Sequence, residues 1–399
     1  MPAIENLRIR KILDSRGNAT VEVDVTAGAV VGRAAAPSGA STGKYEVAAW
    51  PSGGVDEGIR LFRREIAAKL KGVDSAEQEE VDRILHAVDG TADFSRIGGN
   101  VAVATSLAVV KASAASARKP LYAYLGGDRT LPFPLGNVIG GGRHAIGGTD
   151  IQEFLSLARD PTPSRSVFAN ARAHRAVAEI LTKRLPGEAI GRGDEGAWVA
   201  KLTNEEALSV LLEACDRASA ETGVPCTPAL DMAASEFYRD GTYVYKERTL
   251  TPDQQVEYVA GLVESNGLTL VEDPLDQEDF AGYARLTDRV GSACVVVGDD
   301  LFATNPERLR RGIREGSANA ILIKPNQIGT LTDTRATVAL AEEAGYRTVM
   351  SHRSGETTDE TIAHLAVAFG SFAIKTGAVG GERIAKLNEL IRIEESLGG

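Results

Sequence analysis

The chain has only three cysteines, Cys215, Cys226 and Cys294, with no CxxC spacing and no nearby histidine. That excludes a disulfide framework and a thiolate zinc site, and it fits a reducing cytoplasm. No stretch reaches membrane-span length. The opening MPAIENLRIRKILDSRG alternates charged and apolar residues where an export signal needs a continuous apolar core. No basic stripe appears in a chain of net charge −11, which argues against nucleic acid as a general partner. Tandem repeats and low-complexity tracts are also missing. The glycines 140–142 lack the full GxGxxG pattern and read as a hinge or a close backbone approach, not a nucleotide cradle. What remains is a globular chain of 399 residues, 43% hydrophobic and 25% charged, long enough for a barrel and one smaller domain.

Three strand-like runs, LRIRKIL (7–13), ATVEVDV (19–25) and VVGRAAA (30–36), are separated by DSRGN and a TAG turn and read as an antiparallel meander. Helical spacing follows at about Asp56–Leu70, Ser75–Val88 and Asn100–Ala117. LPFPLGN then brings two prolines suited to a linker. The expected division is an N-terminal α+β capping domain over residues 1–127 and a β/α barrel over 128–399, an α/β chain overall.

In the second part, short apolar runs end in Asp231, Glu272, Asp299, Lys324, His352 and Lys375. From Glu272 onward the steps are 27, 25, 28 and 23 residues, each about one strand, one helix and two short loops, the rhythm of a β/α barrel. Thr251-Pro252 and Asn305-Pro306 read as helix starts, and Gly267, Gly316, Gly345 and Gly370 as stops. The step of 41 from Asp231 to Glu272 is too long for one unit, and its excess, SEFYRDGTYVYKERT, reads as an inserted hairpin.

Charged groups at the C-terminal ends of barrel strands converge on one mouth. Asp231, Glu272 and Asp299 offer only oxygen donors, which suits Mg²⁺ or Mn²⁺. Lys324 and Lys375 enter from apolar runs, where an amine must be compensated or shifted in pKa. His352, Arg353 and Ser354 supply groups suited to an anion, phosphate or carboxylate. The bland alternatives are helix caps for the acids and salt bridges to them for the lysines.

The motifs DSRGNATVEV, APSGASTG, NVIGGGRHA, IQEF, GDEG, LDMAASEFY, VEDP, VGDDLFATN, ILIKPNQIGT, SHRSGETTDETIAHL, IKTG and RIAKLNELIRIEE together resemble the enolase family, from about residue 8 to the C-terminus. Several departures, including Gly140, Ala197, Pro325 and the segment KYEVAAWPSGGVDEG, look most like archaeal members. The resemblance implies dehydration of 2-phosphoglycerate to phosphoenolpyruvate with two Mg²⁺ per site. Asp231, Glu272 and Asp299 match the ligands of the first ion, and Ser41 the loop residue that ligates the second. Lys324 matches the base at C2 and Glu195 the acid at the departing C3 hydroxyl, with Glu153 its partner. His144 matches the histidine of a second closing loop, Lys375 the substrate-binding lysine, and Arg353 and Ser354 the phosphate contacts; His352, Glu272, Asp299 and Lys324 also fall among the expected substrate-facing residues. Lys324 is expected to have its pKa lowered by nearby cations, and Glu195 raised by nearby carboxylates. The alternative is a paralogue acting on a related phospho- or phosphono-acid, of the carboxyphosphonoenolpyruvate synthase type. The expected assembly is a homodimer or an octamer, with no nucleic-acid or membrane partner.

Overall fold

The structure, a computed structural model, describes residues 1–39, 43–126 and 130–398. Ser41 and the expected domain boundary near residue 128 lie outside the described residues. Strands β1 (Ile4–Leu13), β2 (Ala19–Ala27) and β3 (Val30–Ala35) form the antiparallel meander, in the order β1-β2-β3. Along β2 the period of two puts Val21, Val23 and Val25 in the core and Glu22 and Asp24 on the other face. The core side is covered by the helix Gly99–Ser116, whose residues are buried almost all round. It lies so close to β3 that a Cβ at Gly32 would stand 2.1 Å from the Ala108 carbonyl oxygen, so only glycine fits there.

The first expected helix is interrupted. Gly54–Leu61 and Ala67–Leu70 flank a π turn at Phe62–Ile66, an extra residue in the i→i−4 ladder that spacing alone did not reveal. The second runs Gln78–Asp89 and stops at Gly90 with φ 72°.

Eight strands close the barrel: β4 (Phe133–Gly140), β5 (Glu153–Ala158), β6 (Cys226–Asp231), β7 (Leu270–Glu272), β8 (Val295–Gly298), β9 (Ala320–Ile323), β10 (Arg347–Ser351) and β11 (Ala373–Lys375), with β11 pairing back to β4. The βα rhythm describes β6 to β11, which are parallel. It does not describe β5, which is antiparallel to both β4 and β6. Alternate residues sort into two cores. Leu155, Leu157, Ala229, Leu270, Val295, Val297, Ala320, Leu322, Val349 and Ala373 fill the barrel interior, while Leu230, Val271, Val296, Ile321, Ile323, Met350 and Ile374 pack outward.

The caps follow the expected chemistry. Thr251 and Gln254 form a capping box ahead of Pro252–Asn266, and Asn305 accepts from Glu307 and Arg308 at the start of Pro306–Glu315. The inserted segment is a hairpin, Tyr238–Arg239 with Thr242–Val244, extended by a third strand at Thr249–Leu250.

Candidate active site

The same alternation that fills the barrel aims the charges. Asp231, Glu272, Asp299, Lys324 and Lys375 each stand two residues beyond an interior core residue, so each side chain faces inward at the mouth. Glu153 arrives by the opposite route. Because β5 runs antiparallel, its first residue is the one at the mouth, and Glu153 lies in register with Asp231, itself in register with Glu272.

Lys375 binds this row together. Its Nζ is 2.7 Å from Glu272 Oε2, 2.8 Å from Asp231 Oδ2 and 3.4 Å from Glu153 Oε2. Burial works against the ammonium, but Asp231, Glu153 and Glu272 outweigh it and hold its pKa well above the ordinary lysine value. Lys324 bonds Asp299 Oδ2, and Gln327 donates to the other oxygen at 3.0 Å. Burial lowers the Lys324 pKa, yet the contact with Asp299 prevails over Arg353 and the net direction is up. The lowering expected from the sequence is therefore reversed among these protein groups, because the nearest charge is an anion.

Glu195 occupies the turn Asp194–Gly196 at φ 65°, a left-handed conformation that costs a non-glycine residue about 1–2 kcal/mol. The turn is held by neighbours. His174 Nε2 lies 2.8 Å from the Gly196 carbonyl, and burial pushes this imidazole down to about 4, leaving a neutral donor. Asn137 of β4 donates to Glu195 Oε2 at 3.1 Å, while His352 Nε2 and His144 Nδ1 stand 3.2 and 3.9 Å from Oε1. His144 also lies 3.3 Å from Glu153, and against burial these two carboxylates raise it to about 9.

Burial favours protonation of Glu195, but the imidazoles of His352 and His144 beside its Oε1 hold it low, while Glu153 is pushed up by burial and by Glu195. His352 itself is driven down to about 3 by burial, with Arg383 adding to the effect, and is neutral near pH 7. The cationic His144 favours at least one ionised carboxylate beside it. The expectation of a raised Glu195 is not met here, and the raised member of the pair is Glu153.

Arg353 is placed with its guanidinium on Glu46, at 2.9 and 3.0 Å, and on Asn326 Oδ1 at 3.0 Å. Ser354 is buried, and its carbonyl accepts from Ser15 of the first meander turn at 3.2 Å, so the N-terminal strands reach over the mouth. Four contributors escaped the sequence reading: Glu46, Gln327, Arg383 and Asp273. The last accepts the N–H groups of Asp299 and Asp300 at 2.9 and 2.7 Å, fixing the end of β8. Asp273 and Gln327 stood inside VEDP and KPNQ, beside residues already chosen; for Glu46 and Arg383 the partners come only with the fold.

The donor set suits a hard cation. Asp231, Glu272 and Asp299 present carboxylate oxygens from three consecutive strands, and Glu272 Oε1 is a buried oxygen with no hydrogen-bond partner among the described residues. Among the described residues, the two groups of three whose ligand atoms lie within 4.8 Å of one another are His144–Glu153–Glu195 and Asp273–Asp299–Asp300. The expected triad is not one of them, since Lys375 is bonded to two of its members and Lys324 to the third.

Comparison with known proteins agrees along the chain. Residues 4–125 match the family model "Enolase, N-terminal domain", and residues 128–399 match "Enolase, C-terminal TIM barrel domain". Proteins named enolase from Methanothermobacter thermautotrophicus, Halorubrum lacusprofundi and Picrophilus torridus are 54%, 52% and 49% identical, each over 99% of this chain and 97%, 99% and 99% of their own length.

Proposed function

The chain belongs to the enolase family, and on that premise we propose that its barrel mouth interconverts 2-phosphoglycerate and phosphoenolpyruvate. One observation carries the reading: Lys324 and Glu195 stand on different sides of one buried mouth, Lys324 after β9 and Glu195 against β4, three strands apart round the closed barrel. A proton α to a carboxylate is removed from one face while the β-hydroxyl departs from another, so a base and an acid on separate walls suit the reaction.

In this reading Lys324 takes the C2 proton in its neutral form and Glu195, in its protonated form, delivers one to the C3 hydroxyl oxygen, the states opposite to those the protein groups alone favour. Lys324 is held at its post by Asp299, and Glu195 by Asn137 and the His174-anchored turn. Lys375 orients the substrate carboxylate end, and Arg353 and Ser354 bind its phosphate. Arg353 is available for that role by exchanging the Glu46 carboxylate for the phosphate, a like-for-like swap of bidentate acceptors. Asp231, Glu272 and Asp299 would hold Mg²⁺, with Ser41 contributing to a second ion. When bound, the metal offsets the negative charge that builds on the substrate carboxylate.

The finer points belong to the same proposal: two Mg²⁺ per site, a capping domain over 1–127 and a barrel over 128–399, a homodimer or octamer, and a cytoplasmic role in glycolysis and gluconeogenesis. The phosphono-acid alternative gains no support, since the relatives compared all carry the name enolase. The test is the purified protein with 2-phosphoglycerate and Mg²⁺, following the ultraviolet absorbance of the enol product. Absorbance should rise with Mg²⁺ and stop with excess chelator; no product at any Mg²⁺ concentration refutes the reading.

A further inference from the structure

On the C-terminal helix Gly381–Ser396, Arg383 has a fully buried guanidinium beneath the mouth. Its Nη1 contacts His352 Nδ1 at 2.8 Å and donates to the Arg353 carbonyl at 2.6 Å, and its Nη2 donates to the Ser354 carbonyl at 2.6 Å. The stem has a fitted channel. A Cβ on Gly377 or Gly380 would come within 3.2 or 3.3 Å of the Arg383 Cγ, and both glycines hold positive φ.

A guanidinium has donors only and does not deprotonate in proteins. The Nδ1 it faces must therefore offer a lone pair, and the ring proton must sit on Nε2. A second proton on Nδ1 would point at a donor and bury two cations side by side. The Nε2 so protonated lies 3.2 Å from Glu195 Oε1, near it but not aligned as a formed hydrogen bond, and has no hydrogen-bond partner among the described residues.

We infer that Arg383 is a positioning residue that locks His352 as a neutral imidazole with its proton on Nε2, facing Glu195. The choice has chemical consequences. An imidazolium would pin Glu195 as a carboxylate with no proton to give, and the other tautomer would set a lone pair against a carboxylate oxygen. The neutral Nε2–H donor supports Glu195 in both protonation states through a single proton transfer. The charged groups around the ring are Glu195 on its turn, Arg383 with Glu382 at 3.1 Å from its Nε, and Lys375, whose carbonyl accepts the His352 backbone N–H at 2.9 Å. Burial, with Arg383, drives the ring down to about 3 in spite of Glu195, in the same direction.

This inference rests on Glu195 as the proton donor, and two measurements separate its fate from that reading. In protein labelled with ¹⁵N-histidine, ring correlation spectra, assigned by His352→Gln among the five histidines, should show an unprotonated Nδ1 and a protonated Nε2 throughout pH 5 to 9. A proton on Nδ1 anywhere in that range overturns the proposal, whatever the substrate proves to be. In kinetics, Arg383→Met frees Nδ1. His352 should then titrate higher than in the parent, burial still acting on it, and kcat should fall about tenfold per pH unit below that raised pKa, with KM little changed. Arg383→Lys, which keeps a donor to Nδ1, should restore the parent profile. A parental kcat profile in an active Arg383→Met protein also overturns the proposal; if that variant does not fold, the spectra of the parent decide. A parent inactive on 2-phosphoglycerate defeats the enolase reading and leaves the tautomer result standing by itself.

Discussion

On the outer face of the N-terminal sheet, Arg10, Glu22, Asp24 and Arg33 meet across three strands; at the barrel mouth, Glu153, Asp231, Glu272 and Lys375 meet from four. The chemistry is the same and the solvent is not. The Arg10 and Arg33 side chains are 37% and 59% exposed, whereas the mouth side chains are exposed by 5% or less. Surface pairs gain little net energy because water already serves both partners. At the mouth each charge has given up its hydration, a cost that apolar residues of similar size would avoid, so stability does not explain why three carboxylates surround one amine. The proposed role of this mouth, holding a cation and an anionic substrate, does explain it.

The widest gap between the two clusters should appear when one partner is removed. Lys375→Met strands three buried carboxylates and should destabilise the chelated protein by about 3–5 kcal/mol, read by urea unfolding. A loss below about 1 kcal/mol would mean that the mouth behaves like the surface and the comparison fails. A smaller effect is expected at His144. Its folded pKa of about 9 is raised, so its contribution is complete below the unfolded value near 6.5 and is lost as pH rises through 9. The parent should lose on the order of 3 kcal/mol across that window, and His144→Gln should not. If both variants decline in parallel in pH-dependent melting, His144 is not the source. The smallest change belongs to the sheet: Arg10→Met should cost about 1 kcal/mol or less, and added salt should shrink the difference. A cost of several kcal/mol would show that this cluster is structural after all.

How legible the molecule is in its sequence depends on the reach of each contact. The meander, the parallel strands β6–β11 and the caps at Thr251 and Asn305 follow from periods and neighbours within a few residues, and they stand where the spacing put them. The antiparallel course of β5 does not follow, because a short run of six residues buried on both faces, four of them apolar, reads the same in either direction. The charged strand ends were visible for the same local reason, whereas Glu46 was not: its partner Arg353 is 307 residues away. Signs of pKa shifts were the least legible. Whether Lys324 goes up or down depends on whether Asp299 or Arg353 is nearer, and that is a fact of packing rather than of motif.

Hydrogen exchange at C2 tests the proposed division of labour between Lys324 and Glu195 directly. With 2-phosphoglycerate and Mg²⁺ in deuterated water, Glu195→Gln should still wash deuterium into C2 while making almost no phosphoenolpyruvate. Lys324→Ala should do neither, losing at least the ~10²–10⁴ that a positioned base supplies. NMR of the recovered substrate reads both outcomes. Exchange by the Lys324 variant but not by the Glu195 variant would reverse base and acid, and dehydration by both at parental rates would place the chemistry outside this pair.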